Sequence, residues 1–447
     1  MHNGSDKGMR ENRLRKVLFV GDHTATLNWG GRAQTLALYQ LLEKEFNISG
    51  IIEAYIIVST IASNGFVGSI MPTPFINFFL RVRDRLKLVD LYLKFEELLG
   101  ARDFVGVDIE ENVNLLLKYK GKNPCLNGLY EQVKNADLVV VNGEGSGIFT
   151  TPHRRDFLFY LTMIELGIQL GKKCFYVNGI LSDCPYTGRN EESLDAARRT
   201  LKKCSAVLVR DIESLRFIKD HMPGLNASCI PDALFAWFPI YEAYGHVLPG
   251  NGDFILGPPE QHDHLGKLDF SVPYVCIGGS SGAALHQEKA ASCYTALANA
   301  MKELGCKVYL TQNCGGDRFM QQVAKATGLG LVPVSTPIFM AGAVLTNARV
   351  FISGRFHPTI HASLGGTPCV FLDAHSHKMR SLQEMLEYKE KVVFSALPAD
   401  KDIPGIVAQA KEYLEHNDKL RKERKEVVER LCSEAKSIAK SIKASAG

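Results

Sequence analysis

Two doubly wound α/β halves facing a central cleft, closed by a long C-terminal helix, are predicted from three features of this 447-residue sequence. Short β-rich runs alternate with segments of helical period from Lys16 to Leu386, the pattern of parallel strands covered by helices. A stretch rich in Gly and Pro, with Pro249, Gly250, Asn251, Gly252, Gly257, Pro258 and Pro259, divides that series into two of similar size. Hydrophobic residues at 46% and charged residues at 22% match ordinary globular usage, which excludes disordered, collagen-like and coiled-coil chains. The expected division is a flexible polar terminus over 1–15, one Rossmann-like domain over 16–245 and a second over 246–447.

In the first half the strand signals are Lys16 to Val20, Ile51 to Val58, Leu138 to Asn142, Cys174 to Asn178, Ala206 to Val209 and Ala227 to Ile230. Helical periodicity runs over Gly31 to Phe46, Asp156 to Leu170 and Glu191 to Lys203. The second half repeats the scheme, with strands at Pro273 to Ile277, Lys307 to Thr311, Leu329 to Val332, Val350 to Ser353 and Cys369 to Leu372. Its helices are Gln287 to Leu304, Asp317 to Thr327, Ile338 to Asn347, His357 to Leu364 and Lys378 to Leu386, and Ile403 to Ala446 reads as one long charged helix. Open sheets of this kind bind ligands beyond the carboxyl ends of their strands, so the cleft is the expected site.

A net charge of +4 is too small to imply a nucleic-acid partner. Eleven cysteines without a Cys-x-x-Cys pair read as free thiols in a reducing compartment. With no signal-peptide pattern at the start and no apolar run of spanning length, a cytoplasmic protein is expected. The segment 75–99 joins Phe75, Phe78, Phe79 and Leu80 to Arg81, Arg83, Arg85 and Lys87. It reads first as a core-facing helix with solvated cations, and second as a peripheral contact with the inner membrane face.

Six strand ends carry chemistry. Asn28, Trp29, Gly30, Gly31 and Arg32 stand between the first strand and first helix, a turn that suits either an anion cradle or plain turn geometry. Gly143, Glu144, Gly145, Ser146 and Gly147 follow a Val-rich strand and suggest a loop passing close to a neighbour. Arg210 and Asp232 end two further strands; Arg210 either projects toward the cleft, with a fork suited to phosphate or carboxylate, or forms a surface ion pair with Asp211 or Glu213, and Asp232 is expected to face the same cleft. Ser353, Gly354, Arg355, Phe356, His357 and Pro358 form the richest turn, a cation and an imidazole beside a helix start. Lys378 follows the next strand, and His361 reads as a packed histidine.

Other readings are weaker. Gly278 to Gly282 matches the Gly-x-Ser-x-Gly elbow of serine hydrolases, but helical period resumes only near Gln287. His375 with His377, or His262 with His264, lacks the further ligands of a metal site, so no metal is expected.

Taken together, these turns resemble the polysaccharide pyruvyltransferase family, in order over about residues 16 to 390. The resemblance implies a two-domain fold like that of GT-B glycosyltransferases. It implies transfer of pyruvate from phosphoenolpyruvate, a co-substrate rather than a cofactor, onto two hydroxyls of a sugar as a cyclic ketal, with release of phosphate. On it, Arg210, Arg355 and His357 bind the donor, with Lys378 and Ser353 as further donor contacts. His357 is the expected proton carrier, with Glu144 or Asp232 assisting the acceptor, and Asn28, Gly30, Gly31, Arg32, Gly143 and Gly145 form the acceptor loops. The acceptor is expected to be a cell-surface polysaccharide precursor, lipid-linked or free. A GT-B glycosyltransferase using a nucleotide sugar and a non-catalytic sugar-binding protein are the alternatives.

Overall fold

The computed structural model describes residues 14–54, 104–248 and 268–447. The 75–99 segment, the Gly/Pro-rich stretch from 249 and His262 to His264 therefore lie outside the described residues.

Two six-stranded parallel sheets form the frame. In the first, β1 (Lys16–Asp22), β2 (Asn47–Glu53), β3 (Leu138–Asn142), β5 (Lys173–Gly179), β7 (Ala206–Val209) and β8 (Ala227–Cys229) take the order β2-β1-β3-β5-β7-β8. In the second, β9 (Tyr274–Ser280), β10 (Lys307–Thr311), β11 (Gly330–Val332), β12 (Val350–Gly354), β13 (Cys369–Leu372) and β14 (Val393–Phe394) take the order β11-β10-β9-β12-β13-β14. Short β4 (Ile148–Phe149) and β6 (Ser182–Asp183) pair separately.

Strand alternation explains why both faces of the first sheet are covered. Val17, Phe19, Val140, Phe175, Val177 and Leu208 point to one side and join a core that continues into the second half through Trp29, Val275, Ile277 and Ile352. Leu18, Val20, Val139, Val141, Tyr176 and Val207 point to the other and pack on α2 (Ile109–Tyr119), α3 (Pro124–Asn135) and α4 (Arg155–Gln169). Each such side chain contributes about 1.5–3 kcal/mol on burial.

The expected strands recur to within a few residues, while β4, β6 and β14, of two residues each, left no periodic trace. The strand expected from Ile51 begins at Asn47: Asn47, Ser49 and Gly50 are poor strand formers, yet the parallel ladder of this stretch with Lys16 to Leu18 holds it extended. The long C-terminal segment is three helices, α13 (Ile403–Glu415), α14 (Asn417–Ala435) and α15 (Ile438–Ala446), rather than one. No Gly or Pro marks the first break. It comes from tertiary pairing, since buried Asn417 donates to the Arg349 carbonyl at 2.5 Å and turns the chain at His416. The final helix crosses back to the first sheet, where the Lys173 ammonium holds the Ala446 carbonyl at 2.6 Å, so the chain after 246 is shared between the two sheets.

The halves also meet at Asp211, the N-cap of α6 (Ile212–His221). Its carboxylate accepts from Ser214 N–H at 2.9 Å, and from the second half it takes His377 Nε2 at 3.1 Å and Ser381 Oγ at 3.0 Å. Burial favours the neutral acid, but His377 and the Ser214 N–H outweigh it and hold the carboxyl below its usual range. Its stabilisation is therefore present above about pH 4 and lost as pH falls further. Asp211→Ala removes a cap and strands three polar partners, so a loss of about 3 kcal/mol is expected, read as a lower urea midpoint at pH 7.

Candidate functional site

The carboxyl ends of the two sheets face one another and enclose a cavity of about 160 Å³. Its walls include Glu144, Arg154, Asp156 and Arg210 from the first half, and Arg355, His357, His375 and Lys378 from the second. Arg210 leaves the end of β7; Arg355 leaves the end of β12 and serves as the N-terminal residue before α11 (Phe356–Leu364). Lys378 opens α12 (Lys378–Met385) after β13.

His357 sits at the junction. Its Nε2 lies 3.0 Å from Arg210 Nη1 and 3.2 Å from Asp232 Oδ2, and those two partners are 3.4 Å apart. Arg210 can only donate. When Nε2 is bare, Arg210 donates to it; when Nε2 carries a proton, both donors share Asp232. The triangle thus serves both protonation states of the ring. On its other side, His357 Nδ1 is 3.5 Å from Glu144 Oε1. The Arg210 guanidinium lies 4.2 Å above the Phe356 ring, which fixes its plane. Arg210 is buried, and among the described residues its Nε–H has no partner.

Arg355 is fixed from behind. Its Nε and Nη2 donate to Asp317 Oδ1 at 3.1 and 2.6 Å, and Asp317 is fully buried. Burial pushes the Asp317 carboxyl up, with Arg355 pulling the other way. Glu144 shows the opposite balance. Burial would raise it, but His357, Arg210, His23 and the Gly145 N–H bring it down to about 2. Lys378 has no hydrogen bond or ion pair among the described residues, and burial together with the nearby Arg355 and Arg210 lowers it to about 7. Burial likewise holds the His375 imidazole well below its usual range.

Several expected contacts prove internal. Asn28 lines the cavity, but its Oδ1 accepts from Gly30 and Gly31 N–H at 3.0 and 3.3 Å, so those amides close a turn rather than cradle an anion. Gly30 is needed because a Cβ there would stand 2.5 Å from His357 Nδ1. The same turn spans the halves through Trp29, whose N–H donates to the Asn313 carbonyl at 3.0 Å and whose indole N–H donates to the Val334 carbonyl at 2.9 Å. Arg32 follows on α1 (Trp29–Leu42) but is not among the cavity residues. The neighbour that Gly143 approaches is the Tyr176 ring, and for Gly147 it is the Ile180 carbonyl; only Gly145 of that loop faces open space. Ser353 is buried, donating to the Gly279 carbonyl at 2.9 Å and accepting from Arg355 N–H at 3.1 Å, so it positions Arg355 from behind the wall. Asp232 is likewise behind the wall, beneath His357.

The weaker motifs resolve similarly. Ser280 lies inside β9 and donates to the Asp373 carbonyl instead of standing on an exposed elbow. His377 caps Asp211 while His375 faces the cavity, so the two do not converge. His361 is packed against Trp237 and Tyr241, and burial lowers it to about 3.

Sequence reasoning missed Arg154, Asp156, Asn313, Cys314 and Asp317. The last three follow β10, and strand-end logic alone would have found them. Arg154 and Asp156 stand where the two-residue β4 leads into α4, and β4 gave no signal.

Comparison with known proteins agrees with this geometry. No curated protein matches the chain by sequence. Among solved structures, a UDP-glucosyltransferase from Polygonum tinctorium superposes with a TM-score of 0.52 at 12% identity, covering 97% of this chain and 98% of that one. A UDP-GlcNAc 2-epimerase from Neisseria meningitidis gives 0.50 at 9% identity, covering 96% and 99%. At such identities the likeness shows the two-domain GT-B fold and nothing of substrate. The family model "Polysaccharide pyruvyl transferase" matches residues 28–376, which take in every cavity residue except Lys378. The chain belongs to the polysaccharide pyruvyl transferase family and is a transferase.

Proposed function

We propose that the cavity binds phosphoenolpyruvate and that the enzyme moves its pyruvyl group onto two hydroxyls of a sugar as a cyclic ketal, releasing phosphate. The observation that carries this reading is a small cavity ringed by Arg154, Arg210, Arg355 and Lys378, with a buried donor of Arg210 that is unpaired among the described residues. A three-carbon molecule bearing both phosphate and carboxylate matches several cations at close range. Size also discriminates. Sites for larger ligands typically enclose about 300–1,000 Å³, so a cavity of about 160 Å³ suits this donor better than a whole nucleotide sugar.

His357 fits the proton chemistry. It delivers a proton to the methylene carbon, turning that carbon into a methyl group and leaving an oxocarbenium-like centre at C2. One sugar hydroxyl adds there, the C2–O bond to phosphate breaks, and the second hydroxyl closes the ketal. Of the two hydroxyl protons, one replaces that given to carbon and the other leaves with phosphate. Asp232 and Arg210 then hold the ring in either protonation state. The acceptor is read as a cell-surface polysaccharide or its precursor. Among the described residues no helix is long and apolar enough to cross a membrane.

Thermal stabilisation tests the donor directly. Phosphoenolpyruvate at a hundredfold excess over its Kd should stabilise the protein by about 2.7 kcal/mol, whereas UDP-sugars should leave the melting temperature unchanged. Lys378→Met should abolish that shift and raise the unliganded melting temperature, because an ammonium lowered by burial and by Arg355 opposes folding and, among the described residues, has no ion-pair partner to strand. His357→Ala should lower turnover by about 10²–10⁴-fold. Stabilisation by a UDP-sugar in place of phosphoenolpyruvate would move the reading to a glycosyltransferase.

A pH dependence follows from Lys378. Its ammonium is charged below about pH 7 and lost above, and the bound dianion favours the charged form. Donor affinity should therefore peak between about pH 6, where a phosphate ester becomes dianionic, and about pH 7, then fall toward tenfold per unit. Titration calorimetry of Lys378→Arg, which stays charged, should show no such fall.

A further inference from the structure

Transfer to a hydroxyl needs a base, and the carboxylates around the cavity differ in their fitness for it. Asp232 is fully buried beneath His357 and shared between His357 and Arg210. Asp317 is fully buried and taken by Arg355. Glu144 reaches the cavity, but its Oε2 accepts from the N–H of the next residue, its Oε1 faces His357, and at about 2 it is a poor proton acceptor. Asp156 remains. It lines the cavity from the first turn of α4, and among the described residues it forms no ion pair.

We propose that Asp156 is the catalytic base that takes the proton of the attacking acceptor hydroxyl. This rests on the reading of phosphoenolpyruvate as donor. With the donor held by Arg210, Arg355 and Lys378, the Asp156 carboxylate on the first-half wall is left to meet the sugar. As the sugar O–H bond breaks, its proton passes to a carboxylate oxygen of Asp156 while the sugar oxygen forms its bond to C2. Asp156 afterwards returns the proton to solvent or to the departing phosphate.

The surroundings suit the task. Burial raises Asp156 above its ordinary range and Glu144 adds to the rise; Arg154, the Phe157 N–H and His23 oppose it. His23 is itself lowered by burial, so at neutral pH its neutral ring exerts little pull. Tyr160, one helical turn beyond Asp156 on the same face, lies 3.4 Å from His23 Nε2 and holds that ring beside it. A carboxylate raised toward the working pH is a better base than one at about 2.

The test uses the full chain, with phosphate release from phosphoenolpyruvate followed in the presence of a panel of methyl glycosides that together offer each pair of free hydroxyls, and with the variants compared on the glycoside that the wild type uses. Asp156→Asn should keep the thermal shift with phosphoenolpyruvate, lower kcat by about 10²–10⁴-fold and lose the acid limb of the kcat pH profile. Asp156→Glu should restore part of kcat and the acid limb together. Activity of Asp156→Asn within about threefold of wild type, with the limb intact, would overturn the assignment while leaving the donor reading in place. A wild-type protein not stabilised by phosphoenolpyruvate would overturn the donor reading, and the role of Asp156 with it.

Discussion

Arg210, Asp232 and His357 meet where almost no water reaches them, and they come from opposite sides of the cleft. Arg210 and Asp232 end strands of the first sheet; His357 opens a helix of the second. Removing one member of such a buried pair typically costs about 3–5 kcal/mol, because the remaining charge is left without compensation. The closed position of the halves is thus tied to the site itself. Asp211 with His377 and Ser381 repeats the device one residue along, and the two hydrogen bonds of Trp29 repeat it on the other flank. These polar pairs stand at the junction where substrates must enter, beside the apolar core that the two halves share.

The frame was legible because it rests on period. Parallel strands buried on both faces read as short continuous apolar runs, and Val139, Val140 and Val141 are such a run whatever their neighbours do. The breaks at His416 and Lys436 were not legible, because no local residue demands them; the side chain of Asn417, reaching to Arg349, bends the chain. Arg210, Arg355, His357 and Lys378 were found because open sheets put their chemistry at strand ends. Arg154 and Asp156 escaped because the strand before them is too short to announce itself.

Glycines were the less informative signal. In a sequence, a glycine beside a candidate site says only that something comes close. Here the something is protein: His357 beside Gly30, Tyr176 beside Gly143, Asp317 beside Gly279. Asp317 meets Arg355 because Gly279 leaves the space, and His357 fits against α1 because Gly30 does. These glycines act on chemistry at one remove, by letting the reactive side chains sit where two walls converge.

Charge balance explains how so many ionised groups share so small a space. Among the described residues, Arg154, Arg210, Arg355 and Lys378 and the imidazoles of His357 and His375 stand around the cavity with the carboxylates of Glu144, Asp156, Asp232 and Asp317. Two pairs, Arg210 with Asp232 and Arg355 with Asp317, are closed and hold geometry. Glu144 supplies countercharge to His357 and Arg210, and does so from a left-handed backbone at φ 42° that costs about 1–3 kcal/mol to hold. Lys378 and Asp156 are left less firmly bound, and both are displaced toward neutrality, the one downward and the other upward. A pocket built this way does not need to break an ion pair to receive an anion or a proton. The groups with spare capacity are those whose charge the protein has already made easy to change.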